Sequence, residues 1–174
     1  MTDEINDIIK HCKIGEEQKL TLATIEQNHN AGIALVSQAR YKLDIVSRDL
    51  DHAIYDNEDF YNVVKHLATS GPKAKIRILI QDSDKAVKQG HRLVKLARKL
   101  SSFIEIRIQG KHFKEFNEAW LIVDEKAWIR RPFADKYSAE MSYSAARKLK
   151  DIGDDFETMW NEASNDPNFR QLSI

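Results

Sequence analysis

Apolar residues along this chain recur with two periods that take turns. Leu20-Thr21-Leu22-Ala23-Thr24 has the period of two expected of a strand, and Gln27 to Arg40 then places Ile33, Leu35, Val36 and Ala39 on a helical face. The β-rich run Leu43-Asp44-Ile45-Val46-Ser47 follows. Phe60, Val63, Val64, Leu67 and Ala68 trace the next amphipathic helix, opened by Asn57 or Asp59 as cap and stopped at Ser70-Gly71-Pro72. Ile76-Arg77-Ile78-Leu79-Ile80 is the next strand. Asp84 to Leu100 forms one or two helical pieces with Gly90 as the break, and Phe103 to Ile108 alternates again. Strands separated by helices in this way predict an α/β fold on a mainly parallel sheet with helices on both faces.

Beyond Gly110 the pattern changes. Ala119-Trp120-Leu121-Ile122-Val123 and Ala127-Trp128-Ile129, separated by Asp124-Glu125-Lys126, predict an antiparallel hairpin added to the sheet. Ser138 to Ala163 carries Ala145, Leu149, Ile152, Phe156, Met159 and Trp160 at helical spacing and predicts one long helix lying on it. Ile5, Ile8 and Ile9 give Glu4 to Cys12 a short leading helix ahead of Gly15. Nothing repeats internally and no linker divides the chain. The expectation is one domain whose mixed sheet has a parallel βαβαβ core plus the hairpin.

Composition narrows the class. The 174 residues hold 27 basic and 27 acidic side chains with 42% apolar residues, which excludes a disordered or collagen-like chain. No apolar run approaches the roughly 18 residues that cross a bilayer, and Met1-Thr2-Asp3-Glu4 lacks a signal-peptide pattern, so no membrane partner and a cytoplasmic location are expected. Cys12, the lone cysteine, excludes an internal disulfide and a cysteine metal cluster. The zero net charge is unevenly spread. Lys88, Arg92, Lys95, Arg98, Lys99, Arg107, Lys111 and Lys114 form a basic stripe broken only by Glu105, whereas acids outnumber bases from Asp135 onward. Such a stripe is either a phosphate-binding surface or the solvated side of helices.

Open α/β sheets bind ligands at the carboxyl ends of their parallel strands. Those ends carry Arg48, Asp49, Asp51 and His52, then Asp82, Ser83 and Asp84, then Arg107 and Gln109. Asp49, Asp51 and His52 have near-ligand spacing without a metal signature, so no metal is expected. No Gly-rich dinucleotide or P-loop motif and no G-x-S-x-G turn occurs, and no cofactor is expected. Trp120, Trp128 and Trp160 fall at spacings that place them in the core.

The strand Leu43 to Ser47 ending in Arg48-Asp49-Leu50-Asp51, the strand Ile76 to Ile80 followed by Gln81-Asp82, the helix Gly90 to Leu100, the strand Phe103 to Ile108, the hairpin at Asp124 and the terminal helix with Phe156 and Trp160 together resemble one half of the phospholipase D superfamily. The chain is also similar to uncharacterised bacterial PLD-like proteins. The resemblance implies a PLD-like domain over residues 29–164, an N-terminal extension over 1–28 and a C-terminal tail over 165–174. Active members carry H-x-K-x4-D on the hairpin, with G-S-x-N about seven residues later. A histidine attacks phosphorus, a second histidine protonates the leaving oxygen, and lysine and asparagine neutralise phosphoryl oxygens.

Registered on Asp124, this chain has Asn117 in the histidine slot, Ala119 in the lysine slot and Arg131-Pro132-Phe133 where G-S-x-N begins. The degenerate motif implies a domain that has lost the reaction. Arg48, Asp49, Arg107, Asn117, Asp124 and Arg131 are then expected to converge on one pocket, as a phosphate site or as an ion-pair network replacing the lost residues. Such a domain binds a phosphate-bearing ligand or nucleic acid, or acts as a regulatory interaction module. The alternative is a diverged phosphodiesterase or nuclease rebuilt on His112 and Lys114 with Asp124, although Asp124 lies ten residues after Lys114 instead of five. The resemblance also implies a homodimer, for which Phe113, Phe116, Trp128 and Phe133 offer an apolar contact.

Overall fold

In a computed structural model, which describes residues 1–144 and 147–170, the chain runs through α1 (Thr2–His11), β1 (Lys19–Leu22), α2 (Ile25–Ser37), β2 (Lys42–Ser47), α3 (His52–Tyr55) and α4 (Glu58–Ala68). It continues through β3 (Lys75–Ile80), α5 (Asp84–Lys88), α6 (Arg92–Lys99), β4 (Ile104–Ile108) and a 3₁₀ turn (Lys111–Phe113) to β5 (Ala119–Val123) and β6 (Ala127–Arg131). β7 (Ala139–Ser142), α7 (Arg147–Glu162), β8 (Ser164–Asn165) and a second 3₁₀ turn (Pro167–Phe169) complete it. The strands form one 8-stranded sheet in the order β1-β7-β6-β5-β2-β3-β4-β8. β2, β3 and β4 are parallel, with Ile45 beside Ile78 and Ile78 beside Ile106. β5 runs antiparallel to β2 on the other side, and the hairpin partner β6 and then β7 extend the sheet antiparallel.

Alternation divides the strand residues between two cores. Leu43, Ile45, Ile76, Ile78, Leu121 and Ile129 face the larger core with Leu35 of α2, Phe60 of α4 and Leu93 of α6. Val46, Leu79, Trp120, Ile122 and Trp128 face the other way, against Leu149, Ile152, Phe156, Met159 and Trp160 of α7. Helices therefore cover both faces, four or more elements on one and α7 on the other. Gly32 lets α2 approach α4, because a β-carbon there would stand 3.4 Å from the Phe60 ring. Gly90, at φ +63°, breaks the predicted Asp84 to Leu100 segment into α5 and α6.

The single helix expected from Ser138 to Ala163 does not form over its first residues. Ala139 and Met141 turn into the larger core and Glu140 faces out, so this stretch satisfies period two and becomes β7, laddered to β1 and β6. α7 starts at Arg147, and Ala145 lies outside the described residues. Residues 1–28 supply α1, β1 and the start of α2, where Thr24 and Gln27 form a capping box. β1 lengthens the sheet through β7, and Ile9, Cys12 and Leu22 join the larger core. After α7, β8 pairs with β4 and Phe169 is buried, whereas residues 171–174 of the expected tail lie outside the described residues.

Candidate functional site

The carboxyl ends of the parallel strands are assembled by a turn after β2. The buried Ser47 Oγ accepts the N–H groups of Leu50 at 3.0 Å and Asp51 at 3.3 Å, which bends the chain so that Leu50 takes φ +62° with its side chain in the core. His91 holds that strained residue. Its Nε2–H donates to the Leu50 carbonyl at 3.0 Å while Nδ1 accepts the Leu93 N–H at 3.1 Å and caps α6. Burial pushes the His91 pKa down, against the pull of Asp56 and the Leu50 carbonyl, so the neutral ring suits both bonds.

Asp51 divides its carboxylate between two tasks. One oxygen caps α3 through the Ala53 N–H at 3.1 Å, and the other accepts Arg131 Nη1 at 3.1 Å. Arg131 comes from the end of β6, registered opposite Ala119 at the start of β5, and is 2% exposed. Its guanidinium also lies over the Tyr137 ring at 5.4 Å. Nη2 has no hydrogen-bond partner among the described residues. A cavity of about 10 Å³ lined by Asn28, Gly32, Tyr55, Ala119 and Arg131 remains, the room of a single water. Burial pushes the Tyr55 phenol there up to about 12.

The six residues expected to converge do not. Arg48 projects into solvent past the end of β2, and Asp49 beside it faces Lys85 at 3.6 Å. Asn117 is exposed at the approach to β5, its carbonyl accepting the Ala134 N–H at 2.7 Å. These three and Arg131 share the same end of the sheet. Arg107 lies on the opposite face, because it pairs in register with Leu79 and both point toward α7. There its Nε donates to Glu105 at 2.8 Å and its guanidinium sits 4.2 Å from the Trp160 ring centre.

Asp124 lies at the far end. β5 runs antiparallel to β2, so its last residue meets the beginning of β2, and at about 3.4 Å per residue Asp124 is roughly 17 Å along the strand from Ala119. Asp124 and Glu125 take φ +52° and +55°, the left-handed pair that a tight hairpin turn requires. The Asp124 carboxylate accepts the N–H groups of Arg40 at 2.7 Å, Tyr41 at 3.0 Å and Lys42 at 2.9 Å. Its work is to tie the turn to the entry of β2.

The alternative catalytic set is not assembled either. His112 is exposed on the 3₁₀ turn with Nδ1 3.0 Å from Glu162, Lys114 is exposed beside it, and Asp124 is at the other end of the sheet. Among the described residues no group of three or more His, Cys, Asp or Glu is placed to hold a metal ion, and His52 pairs with Asp56 at 2.8 Å instead of joining Asp49 and Asp51. The basic stripe is no single surface. Lys88 faces Asp84 at 3.9 Å, Arg92 is held by Asp56 and Arg98 by the Asn168 carbonyl, Arg107 is on the α7 face, and Lys111 and Lys114 stand at the 3₁₀ turn, whereas Lys95 and Lys99 of α6 have no carboxylate partner among the described residues. Of the four aromatics offered for a dimer contact, Trp128 is buried, Phe113 and Phe116 are half-buried with Phe116 edge-on to Trp120, and Phe133 alone is exposed.

Sequence reasoning missed Tyr137 and Asn28, whose side-chain N–H bonds the Tyr137 carbonyl at 2.7 Å across 109 residues. No local pattern announces that pairing. Arg131 itself carried a signal, since it shares the parity of Ala127 and Ile129 and so had to enter the larger core.

Comparison with solved structures shows the fold. The archaeal chromatin protein TrmBL2, described as having a novel mode of DNA binding, superposes with TM-score 0.61 at 15% identity over 95% of this chain, and the chain spans 61% of that protein's length. NucT from Helicobacter pylori gives 0.64 at 15% identity, covering 87% of this chain and 100% of its own. Nuc from Salmonella typhimurium, a phospholipase D family member, gives 0.59 at 11% identity, covering 87% of this chain and 99% of its own. No curated protein sequence matches significantly. A family model described as "Domain of unknown function (DUF7931)" matches residues 24–172. With that match over most of its length, the chain belongs to the DUF7931 family, and it wears the fold of phospholipase D family members.

Proposed function

We propose that this chain is a non-hydrolytic domain on the phospholipase D fold that binds a phosphate-bearing polymer, nucleic acid, in the cytoplasm. The observation that carries the first half is the closed volume around Ala119. Where the superfamily register expects a lysine beside a bound phosphate, the neighbouring space holds the buried Arg131 guanidinium pinned to Asp51, with room left for one water. Asn117, in the histidine slot, has no nucleophilic nitrogen at neutral pH. The fold shared with a DNA-binding chromatin protein favours the second half.

Two measurements test it. Bis-p-nitrophenyl phosphate should show no turnover above blank, since loss of a nucleophile in catalytic units of this kind lowers turnover by about 10⁴ to 10⁶. Turnover that disappears in His112→Ala would instead establish the rebuilt phosphodiesterase. A labelled oligonucleotide should be bound, with affinity falling as salt rises. The same reading keeps a homodimer as its oligomer, with Phe133 as the aromatic available to the contact. A scattering mass near one 20.1 kDa chain at micromolar concentration overturns that part.

A further inference from the structure

We infer that the groove between α4 and α6 is a contact site for single-stranded nucleic acid, with one unstacked base against Tyr61 and the flanking phosphates on Lys95, Lys99 and Lys65. The inference rests on the nucleic-acid reading and names where that partner sits. The groove has a volume of about 330 Å³ and is walled by Glu58, Tyr61 and Asn62 on one side and by Arg92, Lys95 and Lys99 on the other, over Leu96. The two walls follow from helical spacing. Residues 58, 61, 62 and 65 lie on one stripe of α4, and residues 92, 95 and 99 on one stripe of α6.

The charge of the groove has the sign a phosphate backbone needs. Lys42, Lys85, Lys88 and Lys148 are engaged with carboxylates, whereas Lys65, Lys95 and Lys99 have no such partner among the described residues. Arg92 is neutralised by Asp56, and Glu58 is the one acid in the walls. Lys95 and Lys99 in the walls, with Lys65 one turn further along α4, against one carboxylate leave a positive groove on a chain whose net charge is zero.

Tyr61 supplies what a plain lysine patch lacks. Its half-buried ring stands in the groove wall with the Lys65 ammonium 6.0 Å from its centre, so a flat apolar surface and a cation are presented together. Base stacking on an aromatic ring beside a basic track is how sequence-tolerant single-strand sites are built. The volume is at the lower end of small-molecule pockets, which suits one base and not the width of a duplex.

The test is fluorescence anisotropy on the whole chain with a labelled oligothymidylate of about 12 nucleotides and the corresponding duplex. Lys95→Gln/Lys99→Gln should weaken single-strand binding at least tenfold and reduce the slope of log K against log salt by about 0.7 for each lysine. Tyr61→Ala should weaken it about 5- to 100-fold, and Tyr61→Phe should restore it. Lys111→Gln/Lys114→Gln, on the 3₁₀ turn, should leave it unchanged. The four lysines lie at the surface and Tyr61 is half-buried against the larger core, so an unchanged circular dichroism spectrum and an unchanged urea midpoint are required of each variant to show that it is folded. Oligonucleotide binding that survives in Lys95→Gln/Lys99→Gln, or tighter binding of duplex than of single strand, overturns the groove while leaving the nucleic-acid reading in place. A wild-type chain that binds neither oligonucleotide, or that binds anionic phosphatidylserine vesicles instead, overturns the reading beneath it.

Discussion

The two ends of the parallel strands hold similar charged residues and use them to different degrees. Toward the N-terminal end, Arg77 donates from Nε at 2.7 Å and Nη2 at 2.9 Å to Asp44, and from Nη1 at 3.1 Å and Nη2 at 2.6 Å to Glu157 of α7. Its guanidinium lies 4.7 Å from the Phe156 ring centre and 5.4 Å from that of Trp160. Burial opposes the Arg77 charge, yet the bonds it donates to Glu157 and Asp44 more than offset this and hold the pKa above its ordinary value. Nearby, Asp124 employs both carboxylate oxygens on three backbone N–H groups. At the C-terminal end Arg131 is as buried as Arg77, 2% against 3% exposed, but among the described residues it has one carboxylate and no partner for Nη2. Gln109 at the end of β4 leaves its Oε1 without a partner among the described residues, and Arg48 projects into solvent. Equal burial therefore does not mean equal commitment. The closed networks fasten elements together, whereas Arg131 Nη2 and Gln109 Oε1 keep hydrogen-bonding capacity at the end of the sheet where open α/β sheets take ligands; the other two buried atoms without a partner among the described residues, Asn6 Oδ1 on α1 and Trp128 Nε1 on β6, lie away from it.

The sharpest way to break this contrast is at Arg77. Arg77→Ala leaves the buried Asp44 without its guanidinium, with only Lys42 at 3.7 Å, and removes the fastening of α7, and should cost about 3–5 kcal/mol. The measurement is the urea midpoint, with tryptophan fluorescence reporting Trp120, Trp128 and Trp160, all in the α7 core. Burial already raises the Asp44 pKa, so the orphaned carboxyl should take up its proton at higher pH in the variant than in the parent. Arg77→Met with Asp44→Leu removes both charges at once and should recover most of the loss, because a buried pair replaced by apolar groups is often neutral. If the double variant is as unstable as Arg77→Ala, the network does more than fasten.

Asp124→Ala comes second. It orphans the N–H groups of Arg40, Tyr41 and Lys42 where the chain enters β2, and at about 1 kcal/mol for each partly buried donor the expected cost is roughly 3 kcal/mol. Asp124→Asn keeps an acceptor and tolerates the left-handed conformation, so it should cost less than half as much. Nucleic-acid binding should be unaffected in either folded variant. A loss of binding without a loss of stability would return Asp124 to the ligand site.

Arg131→Met is third. Asp51 keeps its cap on α3 and its side chain is 16% exposed, so losing the guanidinium should cost only about 1–3 kcal/mol by the urea midpoint. A cost as large as that of Arg77→Ala would erase the difference between the two ends.

What could be read from residue order followed the same divide. The βαβαβ core and the hairpin were legible because Leu43 to Ser47, Ile76 to Ile80 and Phe103 to Ile108 keep one period long enough to exclude the other. β7 was not, since Ala139 and Met141 give a period of two over too few residues to stand against the helical pattern that follows from Ala145, and the ladders to β1 and β6 decide it. The expected six-residue pocket failed on information that was present. Arg107 shares parity with Glu105 and Arg131 with Ala127 and Ile129, which assigns the two arginines to opposite faces once the sheet is fixed. Following β5 away from Ala119 likewise carries Asp124 to the far end. The contacts that finish the Arg131 site, Tyr137 and Asn28, depend on chain closure over 109 residues and leave no trace in local spacing.

The smallest expected effect is on the pH dependence of the C-terminal end, through His91. Burial lowers its pKa in the folded chain, and the unfolded value is about 6.5. A depressed folded pKa means that the unfolded chain binds the proton more readily. The stabilisation is therefore complete above about pH 6.5 and is lost as pH falls below it toward the folded value. The structural reason is that Nδ1 must stay unprotonated to accept the Leu93 N–H, while Nε2–H holds the Leu50 carbonyl behind the Ser47 turn. His91→Asn retains a cap for α6 but does not titrate and loses the reach to Leu50. It should lower stability at pH 8 by about 1–2 kcal/mol and flatten the decline between pH 6.5 and 5 that the parent shows. Urea midpoints at pH 8, 6.5 and 5 for both proteins check it. The His91 assignment fails if the two curves stay parallel, because the acid sensitivity would then belong to carboxylates such as Asp56 and Glu157, whose folded pKa values are also depressed and whose losses fall at lower pH.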